Sequence, residues 1–148
     1  MKRAAIKNAG FTIGELVIVF VIVSAMVLVS LPFLRQVSAR RDNVVCANNL
    51  RELGLALYIY AREHDGKFPP KLKTLYEERY LADERLMDCP ATRKTGTLED
   101  PDYIYTAGLS AKMPSEEALL RDKSKNHPGK GKNVLYLNGA VVREEERD

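Results

Sequence analysis

Apolar and polar positions divide this chain before anything else does. From Phe11 to Leu31 there are 21 consecutive residues whose only charged member is Glu15. A helix rising about 1.5 Å per residue covers the ~30 Å hydrocarbon core of a bilayer with a run of this length, so the pattern predicts a membrane-spanning helix over residues 11–31. After Pro32 the chain becomes charged, but Cys46, Leu50, Leu53, Leu57 and Tyr60 recur at alternating steps of four and three. That spacing places them on one stripe of an amphipathic helix over 32–64, with the stripe turned toward a folded body. Val44, Leu55 and Ile59 fall on roughly the opposite side. This second apolar surface is covered either by neighbouring molecules or by the same body. His64, Asp65 and Gly66 supply helix-ending and turn chemistry.

Residues 65–148 read as a small mixed head. Leu72, Leu75, Tyr76, Tyr80 and Leu81 follow a Pro pair at helical spacing and predict a short helix, and CPATRKTGTLEDP reads as loop. A strand is expected around 103–106. In PSEEALLRDK, Ser115 is a plausible N-cap, with Glu116 and Glu117 in a first turn where the helix dipole favours acids. NVLYLNGAVVREE predicts a hairpin, with Asn138-Gly139 as a type I′ turn between two aliphatic runs. The expected fold is α+β: a basic segment 1–10, a membrane helix 11–31, its amphipathic continuation 32–64, and a head 65–148 with an antiparallel sheet on the helix.

Charge sharpens this division. The formal net charge is +3, and Lys2, Arg3 and Lys7 all precede Gly10; the other 20 basic residues are matched by 20 acidic ones. Bulk charge therefore gives no general pull toward nucleic acid. The three leading positive charges abut the apolar run, and the positive-inside rule keeps them in the cytoplasm, with the body from Arg35 onward outside. In that compartment Cys46 and Cys89 can form one disulfide, contributing about 4 kcal/mol in the chain-entropy description, or stand as two partly buried thiols. Two cysteines and two distant histidines do not make a zinc-ligand pattern.

The head shows no pattern for catalysis. His64 and His127 lie far apart and read as exposed turn or helix-end residues. Neither a nucleophile elbow nor a phosphate-binding loop is present. Glu99, Asp100 and Asp102 lack the spacing of an EF-hand and read as a solvated acidic loop. Lys130 and Lys132, in HPGKGKN, read as part of a Gly-rich surface turn. No catalytic residue, cofactor or metal is expected.

An ordinary secretory signal has a shorter apolar stretch and a cleavage site after it. Here the candidate junction, Gly10–Phe11, lies before the run, where cutting leaves the helix attached. The stretch GFTIGEL resembles the processing motif of type IV prepilins and of the pseudopilins of type II secretion systems. The resemblance implies a prepilin peptidase that cuts after Gly10, methylation of the new first residue Phe11, and Glu15 as the fifth residue of the mature chain. Pro32 falls where many pilins place a helix-bending Pro. Gly14 departs from the family's large aliphatic residue and weakens the helix locally by ~0.5–1 kcal/mol.

The body also resembles a group of pilin-like heads, through Cys46, Asn49, Leu50, Gly54, Tyr60, Phe68, Pro69, Cys89 and Pro90, with His127 and Gly139 near the end. In that tail Asn138 replaces the usual Asp, the spacer after His127 is one residue longer, and Ala140 stands where a second His is common.

Function follows as an expectation. The chain is a pilin-like or pseudopilin subunit of the inner membrane, whose partners are the prepilin peptidase, other pilin or pseudopilin subunits, and inner-membrane assembly machinery. The alternative is a membrane-tethered periplasmic binding module, for DNA or another ligand, that does not polymerise. An acid in a membrane helix costs several kcal/mol without a partner. Cleavage creates an amine on Phe11, ~6 Å from Glu15 along the axis of its own helix. The amine of a neighbouring, axially shifted helix is the better placed partner, and a Glu that snorkels to water is the alternative.

Overall fold

A computed structural model describes residues 12–92, 94–123, 126–127 and 131–145. Helix α1 runs Ile13–Glu63, followed by a short helix α2 at Lys73–Glu77 and a 3₁₀ turn at Glu84–Met87. Four strands complete the order: β1 Tyr103–Tyr105, β2 Ala118–Asp122, β3 Gly131–Tyr136 and β4 Val141–Glu145. They form one antiparallel sheet in chain order, β1-β2-β3-β4. Two compact units divide the chain, Met1–Val37 and Ser38–Asp148, and α1 contributes to both.

In the first unit every described residue is exposed. This part of α1 contains a stretch long and apolar enough to cross a membrane. Its two serines do not leave their hydroxyls unpaired: Ser24 donates to the Phe20 carbonyl and Ser30 to that of Met26, each at 2.7 Å. These back-bonds hide polar groups that would otherwise be costly in lipid.

In the second unit α1 packs on the sheet along the stripe expected from its spacing. Cys46, Leu50, Leu53 and Leu57 have no exposed surface, and Tyr60 is buried. Leu119, Leu120 and Leu135 from the sheet join the same core, with Leu72, Leu75, Leu81 and Met87 from the connecting segment. Gly54 sets the helix-to-sheet distance, because a Cβ there would lie 2.6 Å from Leu135 Cδ2. Val44 and Leu55, by contrast, are more than half exposed, and Ile59 is 37% exposed. At the helix end Gly66 N donates to Ala61 O at 2.7 Å, and Asp65 and Gly66 adopt positive φ angles of 56° and 86°. The left-handed pair turns the chain out of the helix.

Three local expectations need correction. Helix α2 stops at Glu77, because Arg79 takes a left-handed φ of 65° and Leu81 N bonds back to Leu75 O. Tyr80 and Leu81 therefore follow a chain reversal. The segment after Ser115 is strand β2, not a helix. Its register pairs Ala118 with Tyr136 and Leu120 with Leu135, so Leu119 is an extra residue in a β-bulge. The bulge buries two consecutive leucines, which removes the alternation that marks a strand in sequence. Finally, the β3–β4 hairpin forms, but not through a type I′ turn. Only Gly139 has a positive φ, 81°, whereas type I′ needs one at Asn138 as well. Gly139 N and Ala140 O instead bond Tyr136, and the turn is held from outside by Leu137 N on Glu117 O and Asn138 N on Ser115 O.

The Gly54–Leu135 contact makes a direct test. Gly54→Leu is expected to cost at least about 1–3 kcal/mol by overpacking, although any side chain there gains up to ~1 kcal/mol in helix propensity. Leu135→Ala should cost about 2–5 kcal/mol. Denaturant unfolding of the double variant should show less than the summed loss, and additive losses would mean that the two positions do not share space.

Candidate functional site

Two places in the chain combine polar groups with an unusual setting. The first is the start of α1. Thr12 immediately precedes the helix, and its hydroxyl oxygen accepts the Glu15 backbone N–H at 3.3 Å. Glu15 Oε2 reaches back to accept the Thr12 backbone N–H at 2.9 Å and its hydroxyl at 3.0 Å. This is a reciprocal capping box, in which two orphan donors of the first turn are satisfied. The signal, Thr-x-x-Glu, stands in the sequence, whereas the expected partners of Glu15 were the Phe11 amine of a neighbouring helix or water. Gly10 and Phe11 themselves lie outside the described residues.

The second place is where the α1 stripe turns polar. Cys46 on α1 and Cys89 in the loop after the 3₁₀ turn form a disulfide, with Cα atoms 5.5 Å apart and both residues fully buried. The surrounding bonds hold each half. Cys89 N and Thr92 Oγ1 donate to Asp102 Oδ2 at 3.0 and 2.9 Å, and Asn49 Nδ2 donates to Asp88 O at 2.9 Å. The Tyr103 hydroxyl lies 3.3 Å from Cys46 Sγ, and burial pushes its pKa well above the ordinary phenol range.

His127 completes this cluster and corrects an expectation, since it is buried rather than exposed. Its Nε2 lies 3.6 Å from Cys89 Sγ and 3.0 Å from Asp122 Oδ2. Asp122 alternates with Leu120 on β2 and so faces the core as that leucine does. The same carboxylate oxygen accepts Asn133 N at 3.0 Å and Asn133 Nδ2 at 2.8 Å. Asn133 Nδ2 also reaches Asn43 Oδ1 on α1 at 2.8 Å, where Arg143 Nη1 donates too. Neither Asp122 nor Asn133 was singled out in the sequence, since an acid inside ALLRDK reads as a surface residue.

The other candidates separate. His64 behaves as a helix-end residue, with Nδ1 2.8 Å from Tyr60 O and its ring stacked on that of Tyr60. Glu99 pairs with Lys73, Asp100 with Lys94 and Lys123, and Asp102 is buried on Cys89 and Thr92. These three acids serve different partners. Lys132 pairs with Glu144 at 3.7 Å, and Lys130 lies outside the described residues.

An apolar helix of membrane length whose continuation packs on a four-stranded antiparallel sheet defines a pilin-like subunit. The chain is 30% identical over 94 residues to the competence protein ComGC of Halalkalibacterium halodurans, an alignment covering 64% of this chain and 88% of that protein. The chain belongs to the type IV pilin-like family. No family model matches it, and no solved structure does.

The acidic loop gives a pH prediction. Lys94 and Lys123 lower the Asp100 carboxyl from 3.8 to about 2. A depressed carboxyl stabilises the fold above its unfolded value and loses that contribution as pH falls through the folded one. The melting temperature of the parent should exceed that of Asp100→Asn near neutrality, with the gap closing between pH 4 and 2 and shrinking in high salt. A gap independent of pH would exclude the ion pairs as its source.

Proposed function

We propose that this chain is a filament subunit made as a precursor, with 1–10 as leader, 11–31 as membrane helix, 32–64 as its amphipathic continuation and 65–148 as head. A prepilin peptidase cuts between Gly10 and Phe11 and methylates Phe11. The mature subunit waits in the inner membrane, N-terminus cytoplasmic and head outside, until assembly machinery draws it into a pilus or pseudopilus with other pilin-like subunits. The relative's role as a competence protein supports a competence pseudopilus among these. Its work is assembly, with no catalytic residue and no nucleic-acid partner assigned.

One observation carries this reading: among the described residues, 12–38 are all exposed, although nearly all are apolar through Leu34. Lipid covers such a surface before assembly and neighbouring helices cover it afterwards. The apolar exposure continues beyond the membrane segment at Val44, Leu55 and Ile59, which a tethered binding module has no need to present.

Glu15 fits both stages. In the single subunit its carboxylate is partly satisfied by Thr12, which lowers the cost of holding it near lipid. A carboxylate accepts more bonds than these, so the Phe11 amine of an axially shifted neighbour adds an ion pair that favours assembly and sets its register.

Mass spectrometry of the native membrane form should find Phe11, methylated, as the first residue; an intact Met1 contradicts the processing step. Glu15→Leu should insert and be cut normally, since Gly10 is untouched, yet fail to enter filaments. Assembly equal to that of the parent would remove Glu15 as the intersubunit partner.

A further inference from the structure

We propose that the dithiol form of this chain holds one Zn²⁺ in the head, ligated by Cys46, Cys89 and His127, with a solvent oxygen completing the tetrahedron. Cys46 Sγ, Cys89 Sγ and one ring nitrogen of His127 all lie within 4.8 Å of one another, and all three residues are buried. Tetrahedral zinc, with bonds of ~2.3 Å to sulfur and ~2.0 Å to nitrogen, has S···N edges of about 3.6 Å. Cys89 Sγ and His127 Nε2 already stand 3.6 Å apart.

The polar groups around the sulfurs exceed what a disulfide requires. A disulfide needs neither a buried imidazole nor a buried carboxylate, and burying either is costly without full pairing. Among the described residues, His127 Nδ1 and Asp122 Oδ1 are buried without a hydrogen-bond partner. Asn133 holds Asp122 Oδ2 through two N–H bonds, which keeps that carboxylate beside His127. Two thiolates with an imidazole select a borderline-soft cation over Ca²⁺ or Mg²⁺.

The two states exclude each other because they use the same sulfurs. A dithiol reductant gives the disulfide two electrons and two protons and becomes a disulfide itself. Zn²⁺ then displaces both thiol protons as the sulfurs part to about 3.8 Å, the S···S edge of a tetrahedral site. Either state ties α1 to the loop before Pro90, one by a covalent bond and the other by a metal.

The test uses the full-length chain in detergent with Co²⁺ as the probe, reduced by a phosphine. The reduced chain should bind one Co²⁺ with thiolate charge-transfer bands and the intense visible bands of tetrahedral cobalt, and one equivalent of Zn²⁺ should abolish them. The disulfide form should show neither. His127→Gln should form the disulfide as the parent does, which reports an intact fold, yet bind Co²⁺ at least ten-fold more weakly once reduced. Octahedral cobalt only, equal binding by His127→Gln, or equal binding by the disulfide form would each overturn the proposal. Where reduction loosens the head, Zn²⁺ should protect both thiols of the parent from alkylation, and alkylation indifferent to Zn²⁺ would overturn it as well.

Discussion

The close contact of α1 with β3 at Gly54 and Leu135 is the constraint on which the Ser38–Asp148 unit depends. A helix can press one face against a sheet only where its side chains leave room, and here a missing Cβ lets Leu135 reach the backbone. With Leu50, Leu53 and Leu57 committed to that face, Leu55 and Ile59 point away from the core by helical geometry alone. The exposed apolar ridge is thus a consequence of the packing, and burying it in the same head would require the helix to have a second sheet to lie on.

The same contact determines where polar groups enter the interior. Toward Asn43 and Cys46 the facing strands present Asp122 and Asn133 in place of leucines. An uncompensated buried carboxylate costs several kcal/mol, so that end of the interface stands only because Asn133, His127 and Asn43 form a connected set of bonds. The Cys46–Cys89 disulfide lies against this set and joins α1 to the loop before Pro90, contributing about 4 kcal/mol in the chain-entropy description.

Sequence periodicity made the helix legible from Ile13 to Glu63, its buried stripe, and the two strands of the β3–β4 hairpin. Long periodic elements carry redundant signals, so each residue supports the next. Strand β2 was not legible because the bulge at Leu119 erases alternation, and a Ser followed by two acids imitates a helix start. His127 has no local pattern at all. Its burial follows from the inward face of Asp122, which in turn depends on strand β2, whose sequence carries helix-start signals. The Thr12–Glu15 capping box is legible in principle as Thr-x-x-Glu, but a carboxylate at the edge of a membrane-length run has both local and intermolecular partners open to it.

In the proposed filament, α1 offers other subunits two exposed apolar surfaces, one along residues 12–34 and one at Leu55 and Ile59. Site-specific photo-crosslinking in the native membrane tests this most directly, with the reactive side chain at Leu55. Filament assembly predicts a ladder of adducts at multiples of the subunit mass, containing further copies of this chain or other pilin-like subunits. A chain that remains monomeric, or joins only one unrelated protein, would contradict it.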